Sequence, residues 1–502
     1  MMQGHLPILP VLVPLSAAIA MLLFAREHVR RQRAIAAVSL TLLALIDIAL
    51  LVQVVDGRIL VYRLGNWQPP FGVALMVDRL SSVMLTLCTL TATATLLFAV
   101  GELDSARERA HFHPLLQLLV MGLNGAFVTG DLFNLFVFYE VLLVASYGLL
   151  VLGNEPRQLR ASVQYLVLNL VKSVLFLAGV ATLYGVLGTV NMAHLAQNIR
   201  ALPEGSARLL VDAAGMMLLT AFAIKAALVP LFFWMPDSYP APSAAVGAMF
   251  AGMMTKVGVY SLARVFALVF QGADSVAGSW VLPLSTATML GGVLGAIPQV
   301  NFRRLLSFHI TSQVGYMVMG IGLWTPMGLG GAIFYIVHHI LVKAGLFLIA
   351  GITERLTGER NLSGMGKLVR EPVTTGLFLV AGWSLAGVPP LSGFIAKLLV
   401  IKAGLDAHAF AAVAAALVTG LLTLFSMTKV WMTAFWGGDA KPLQRAPAPM
   451  LAGAALLVSF SVLLPLVAEP LWQFCHAAGH QLLHPNAYIR AVLGERPLFA
   501  SN

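Results

Sequence analysis

The apolar positions of this chain come in long blocks and do not alternate with polar ones. Runs of roughly 20 mostly uncharged residues, the length a helix needs to cross the hydrocarbon layer, recur along most of its length. Fourteen such blocks are predicted as membrane helices: 6–25, 34–55, 79–100, 112–130, 132–153, 163–186, 209–233, 240–263, 280–299, 304–323, 329–351, 373–401, 409–436 and 449–470. The dyad pattern of an outer-membrane barrel is absent. Between the second and third blocks, Gly57, Gly65, Pro69 and Pro70 punctuate the alternating Ile59, Val61 and Tyr62-Arg63-Leu64, which predicts a small extramembrane hairpin. The polar stretch 190–208 predicts a short surface helix, and 471–502 a tail outside the bilayer.

Two blocks are interrupted. In the seventh, Lys225 is followed five residues later by Pro230 and then by the turn Met235-Pro-Asp-Ser-Tyr-Pro-Ala-Pro-Ser243. In the twelfth, Pro389-Pro390 and Gly393 precede Lys397. Such backbone is tolerated at membrane depth only inside protein or against a wet cavity. With the N-terminus outside, these two helices run in opposite directions, and both lysines fall on the outer side of their breaks. Paired breaks in two halves point to inverted repeats with an ion site at the breaks.

Composition narrows the class. The 502 residues are 59% hydrophobic and 10% charged, with a mean hydropathy of +0.87, whereas soluble domains are about 25% charged. This is an all-α polytopic membrane protein. The net charge of +10 sits in short loops with no aromatic interleaving, so nucleic acid is not a partner. Of the 31 Lys and Arg residues, 16 fall in loops on one side, among them Arg26, Arg157, Arg303 and Lys441. On the other side are 9, among them Arg58, Arg79 and Arg496. The bias predicts both termini outside, in a bacterial inner membrane. The N-terminal block lacks a basic leader, so it reads as a first membrane helix and not a cleaved signal. Cys88 and Cys475 are too few for an iron–sulfur cluster within this chain. No Walker motif, GxGxxG, CxxCH or catalytic triad is present. No cofactor or metal is expected, and the driving force must come from an ion gradient or from a partner.

The remaining 6 basic residues are all lysines within the membrane blocks: Lys172, Lys225, Lys256, Lys343, Lys397 and Lys429. Arginine holds its proton in almost any setting. Desolvation can bring a lysine near neutrality. Lysines in a row therefore suit proton passage. Glu140, near the middle of the fifth block, needs a cation there, and Lys225 is the predicted partner. A static salt bridge is the alternative. Lys256 lies far from both ends of its helix. His339 and Lys343 share a helix face, while His338 points about 100° away, a poor arrangement for two metal ligands. His309, beside hydroxyl and amide neighbours, is a further candidate relay, with an interhelical hydrogen bond as its alternative. Lys172 either extends the charged line or snorkels, and Lys429, nearer a helix end, is equally open. Asp47 has no assigned role. Asp237 is expected to cap the structure that follows it.

Lys225-Ala-Ala-Leu-Val-Pro-Leu-Phe-Phe-Trp-Met-Pro-Asp-Ser-Tyr-Pro-Ala-Pro-Ser with Lys256-Val-Gly-Val-Tyr, Ser307–Tyr316 and Pro389-Pro390-Leu-Ser-Gly-Phe together resemble the signature of the antiporter-like subunits. That superfamily includes the proton-translocating membrane subunits of respiratory complex I and the large subunits of Mrp-type (Mnh/Pha) multisubunit cation/proton antiporters. Gly130–Tyr147 and Gly188–Leu195 are similar to the D-type branch of the Mrp large subunits.

The resemblance implies fourteen helices with two inverted five-helix repeats. The first takes in helices 4–8 (112–263) and the second helices 9–13 (280–436). Helices 1–3 (1–111), helix 14 (449–470) and the tail flank them. It implies a proton path through Glu140, Lys225, Lys256 and Lys397, and less firmly through His309, His338 and His339. Lys172 departs from the family pattern. The implied function is antiport of Na⁺ or K⁺ against protons within a hetero-oligomeric complex. The rival is a proton-pumping subunit of a redox-driven complex, such as complex I or a membrane-bound hydrogenase.

Overall fold

A computed structural model of the chain describes residues 2–69, 71–438 and 443–494. Pro70, Lys441 and Arg496 lie outside the described residues. Helix occurs in each of the fourteen predicted blocks. In chain order these are α1 (Leu9–Phe24), α2 (Val29–Val54), α3 (Arg79–Glu102), α4 (His113–Val128), α5 (Leu132–Leu150), α6 (Pro156–Leu187), α7 (Ser206–Ala226), α8 (Ala244–Phe266), α9 (Val281–Ala296), α10 (Phe302–Gly322), α11 (Pro326–Thr357), α12 in two halves (Pro372–Ala386 and Ser392–Asp406), α13 (Phe410–Trp436) and α14 (Ala448–Leu466). Among the described residues, 11 helices are long and apolar enough to cross a membrane unaided. The hairpin pairs β1 (Leu60–Arg63) with β2 (Ala74–Val77), antiparallel, with Leu60 opposite Val77. The expected surface helix spans Met192–Ala201 and buries Met192, Leu195 and Ile199 on one face. Two tail helices follow, Ala468–Leu483 and Asn486–Leu493, the first packed on α11.

The two halves repeat the same backbone device on opposite ends of the bundle. Ahead of α5, Leu132 donates to the Val190 carbonyl and Met192 to that of Gly130, around the bridge Asp131–Asn191. Ahead of α10, Phe302 donates to Arg360 and Leu362 to Val300, around the bridge Asn301–Asn361. The shift is the same at each position (131 to 301, 191 to 361). It also carries α6 onto α11, each 32 residues long, opened by a proline and closed by a left-handed glycine, Gly188 or Gly358. Glycine is the residue that closes a helix this way without strain.

The breaks match too. Ala227 and Gly387 both turn left-handed, at φ 60° and 91°. Leu228 then donates back to Ala223 (2.9 Å), as Val388 does to Trp383 (3.0 Å). Val229-Pro230 and Pro389-Pro390 are both cis.

Burial sets the middle of the protein. α10 is buried from His309 to Gly322, and the central stretches of α8 and α11 are wholly buried. These two helices carry Lys256, His338, His339 and Lys343, so the polar residues gather where lipid cannot reach.

Candidate functional site

The site begins on α5. Tyr139 and Glu140 are neighbours on a helix whose Phe133, Val137 and Val144 face outward. Glu140 shares that margin and its side chain keeps 32% exposure. Its Oε1 accepts from Lys172 Nζ at 3.2 Å and from Ser173 Oγ at 2.5 Å, both on α6. The predicted partner was Lys225, and this is corrected: the carboxylate lies on Lys172. The reason is reach. Lys172 is fully buried near the middle of the 32-residue α6, too far from either helix end for its ammonium to snorkel.

Lys225 is also fully buried, and its ammonium has no hydrogen-bond partner among the described residues. Both ammonium groups lie over the Tyr139 ring, Lys172 at 5.1 Å and Lys225 at 5.9 Å from its centroid. The Tyr139 hydroxyl is tied to Ser261 (2.8 Å) and to the Val257 carbonyl (3.1 Å) on α8. Ring and charges are thereby held in fixed relation.

The break after Lys225 leaves helix carbonyls without their usual donors. Trp234 supplies one, donating its indole N–H to Ile224 at 3.1 Å. Gly258 on α8 packs against the backbone of Ala226, where a Cβ would approach Ala226 N to 2.5 Å. The two helices therefore touch two residues from Lys256. Around Phe250–Met254, α8 widens into a π turn, a distortion common at functional sites. Lys256 Nζ donates there to the Ala251 carbonyl at 2.6 Å and to Thr255 Oγ1 at 3.2 Å.

On the far side, α11 presents His338, His339 and Lys343, all fully buried. Neither ring nitrogen of His339, nor Lys343 Nζ, has a partner among the described residues. His338 Nδ1 lies 2.8 Å from Ser392 Oγ, which lies 3.1 Å from Ser384 Oγ across the second break. Lys397 donates to the Ala386 carbonyl at 2.7 Å, at the end of the broken half-helix, and sits 5.4 Å from the Tyr316 ring. Tyr316 stacks on Tyr335, whose hydroxyl reaches Gln313 at 2.5 Å. His309 Nε2 lies 2.8 Å from Ser426 Oγ on α13.

Two sequence readings move out of this line. Lys429 donates to the carbonyls of Ile297 and Gln299, both at 2.8 Å, which is the geometry of a lysine capping the end of α9. Asp237 does not cap α8. Its carboxylate faces Arg304 at 3.2 Å. Ser243 and Glu102 take the α8 cap instead, Glu102 accepting from Ala244 (2.5 Å) and Ala245 (2.8 Å). Asp237 lies inside the one-turn helix Met235–Ser238, too early to reach those N–H groups. Sequence reasoning also passed over Tyr139, Ser173, Tyr316, Tyr335 and Ser392. Their signal was adjacency: Tyr139 precedes Glu140 and Ser173 follows Lys172.

A family model described as "NADH:quinone oxidoreductase/Mrp antiporter, TM" matches residues 129–423, from the bridge ahead of α5 to α13. The chain belongs to that family. Within it, the D-type subunit of the Na(+)/H(+) antiporter of Alkalihalophilus pseudofirmus is 43% identical over 98% of this chain and 100% of that protein. The protein of the same name from Bacillus subtilis is 37% identical over 98% and 100%. Among solved structures, a chain of the Mrp complex from Dietzia sp. DQ12-45-1b superposes with a TM-score of 0.90, at 34% identity over 98% of this chain and 100% of that one. A chain of respiratory complex I from Thermus thermophilus shares the fold, with a TM-score of 0.80 at 23% identity over 95% and 99%. These relatives thus cover 98% of this NADH:quinone oxidoreductase/Mrp antiporter family member.

Proposed function

We propose that this chain is the proton-translocating subunit of a multisubunit Na⁺(K⁺)/H⁺ antiporter, with protons moving along the buried Glu, Lys and His groups to drive cation efflux. The observation that carries the reading is the arrangement at Glu140. The acid is seated on Lys172 and Ser173, while Lys225 stands unpaired across the same Tyr139 ring. An ammonium without a counter-charge in a dry site is unstable. Moving Glu140 between Lys172 and Lys225 stabilises the proton on one and releases it from the other.

From Lys225 the proton passes to Lys256 across the Gly258 contact, then by water to His339 and Lys343. It continues through His338 and Ser392 to Lys397 at the second break. His309 borders this route, and Lys429 is an anchor beside it. The break carbonyls and hydroxyls offer acceptors in place of an acid. The chemistry needs no bound cofactor and makes or breaks no covalent bond of a substrate, so the chain is a secondary transporter subunit and not an enzyme. Both termini lie outside a bacterial inner membrane, helices 4–8 and 9–13 are the two repeats, and inward proton flow drives Na⁺ or K⁺ outward.

The test is Glu140→Gln in the assembled complex. Cation-dependent ΔpH in everted vesicles should fall by about 10²-fold, the scale of a lost proton-transfer group, with complex assembly intact. Normal ΔpH would overturn the reading. Purifying the native complex separates it from a redox-driven pump, whose partners carry iron–sulfur centres.

A further inference from the structure

Asp47 lies outside the lysine line and has no role in it. It sits mid-helix on α2, 1% exposed. Its Oδ2 accepts from Thr89 on α3 at 2.6 Å, and its Oδ1 has no partner among the described residues. Among the described residues no Lys, Arg or His stands close enough to influence it, and its polar neighbours include Thr89 and the thiol of Cys88. An ionised carboxylate at that depth needs a positive charge. No side chain among the described residues supplies one, so a monocation from solution, the proton included, must.

A route to it is visible. At one end of the bundle, Arg33 holds Glu108 (2.6 Å), and His113 Nε2 lies 3.3 Å from the same carboxylate. Ser39 is about 9 Å further along α2 by helix rise, and it donates to Gln117 Oε1 of α4 at 3.0 Å. The Gln117 Nε2 beside it is buried without a partner among the described residues. Because α2 and α4 run parallel from that pair, Asn124 (seven residues on) and Asp47 (eight residues on) reach the same depth. Asn124 donates to Pro10 O at 2.9 Å and leaves its Oδ1 unpartnered. The Thr95 hydroxyl of α3 is likewise buried and unpartnered, between the two levels.

Buried polar atoms without partners are rare in folded proteins and mark places that water or an ion occupies. Here four occur on three adjoining helices, at increasing depth, beside the Ser39 and Thr89 hydroxyls. A purely structural polar contact would satisfy its own members, as the Arg264–Asp78 pair does, doubly bonded at 2.6 and 2.7 Å.

We propose that α2, α3 and α4 enclose a second hydrophilic half-channel, separate from the lysine line, that brings a monovalent cation, H⁺ or Na⁺/K⁺, from the Arg33–Glu108 end to a binding site at Asp47. This rests on the reading of the chain as a transporter subunit, but its test does not depend on turnover. Membrane vesicles holding the assembled complex are treated with dicyclohexylcarbodiimide, which modifies protonated carboxyls in apolar settings, and the adducts are mapped by peptide mass. Labelling at Asp47 that Na⁺ or K⁺ suppresses assigns a metal-cation site. Labelling that neither suppresses assigns the site to protons alone.

Access is tested apart from the acid itself. In a chain carrying Cys88→Ala and Cys475→Ala, Ser39→Cys should lose its free thiol to an impermeant reagent added on the Arg33 side, while Leu457→Cys in the apolar core should not. No adduct at Asp47, or a Ser39→Cys thiol as inert as the Leu457→Cys control, overturns the proposal. Failure of the Glu140→Gln test would leave both readouts standing, so the two proposals fail separately.

Discussion

The two repeats share a backbone and differ in charge. At the shift that superposes their bridges, Glu140 falls on Ile310, Ser173 on Lys343, and Tyr139 on His309. The first repeat thus has an acid resting on Lys172, with Lys225 across the same Tyr139 ring, at the margin of the bundle. The second has lysine and histidine with no acid among them, and it uses the Ala386 carbonyl and the Ser392 hydroxyl as acceptors. The first is open at Glu140, with a 32% exposed side chain. In the second, His309, His338, His339 and Lys343 are all fully buried. A carboxylate fixes the charge of its partner strongly in a low-dielectric site, so in the proposed mechanism the first repeat switches and the second passes a proton on. The breaks repeat this contrast. Trp234, a neutral donor that keeps its proton, satisfies a freed carbonyl in the first repeat. Lys397 does so in the second.

The largest expected effect comes from making the halves alike. Ile310→Glu places a carboxylate against Lys343 as Glu140 lies against Ser173. It should pin that ammonium and lower antiport by about 10²-fold, comparable to Glu140→Gln. Wild-type ΔpH from an assembled Ile310→Glu complex would mean that the second repeat tolerates an acid, and the comparison would fail. Lys397→Arg is next. It keeps the charge but holds its proton, so transport should drop to the level of Lys397→Met, again by about 10²-fold. Retained transport would show that Lys397 acts as a fixed charge.

Lys172→Met should cost less, about tenfold, because Lys225 remains for Glu140 to pair with. Lys172→Met/Lys225→Met should be inactive. Equal losses in both single variants would sink the two-seat arrangement.

The smallest effect is on stability. Asp131 and Asn301 hold the same helix N-cap in the two halves, accepting from Asn134 and Arg304. Burial pushes the Asp131 carboxyl up from 3.8 to about 6, only partly offset by its hydrogen bonds to the Asn134 and Phe133 backbone. A carboxyl raised in the folded state binds its proton more tightly there than when unfolded. Stability is therefore lost as pH rises from about 4 to 6, and the loss persists above. Asp131→Asn keeps the cap and removes that ionisation. It should stabilise the detergent-solubilised protein at pH 8 by on the order of 2 kcal/mol, with little change at pH 4. Thermal unfolding at the two pH values checks this, and equal shifts at both would remove the titration argument.

The linear pattern was enough to locate the membrane helices and both breaks. Hydrophobic length and proline act locally, and lipid leaves the backbone no alternative to helix. It was also enough to mark the buried charges as costly. It did not determine who pairs with whom. Glu140 lies on Lys172 and not on Lys225 because α6 packs beside α5 with Lys172 and Ser173 turned towards it. A helix register and rotation of that kind depend on contacts between segments far apart in sequence. The same holds for Lys429, whose capping of α9 depends on residues more than a hundred positions away. It holds for Asp237 as well, drawn to Arg304 and away from α8.

Hydrophobicity and proline are properties of a stretch, so the sequence by itself determined where this chain crosses the membrane and where its helices break. A buried ion pair is a property of two surfaces brought together. Only the tertiary structure decided that Glu140 rests on Lys172 with Lys225 across the same Tyr139 ring, and that Asp47 has no basic partner among the described residues.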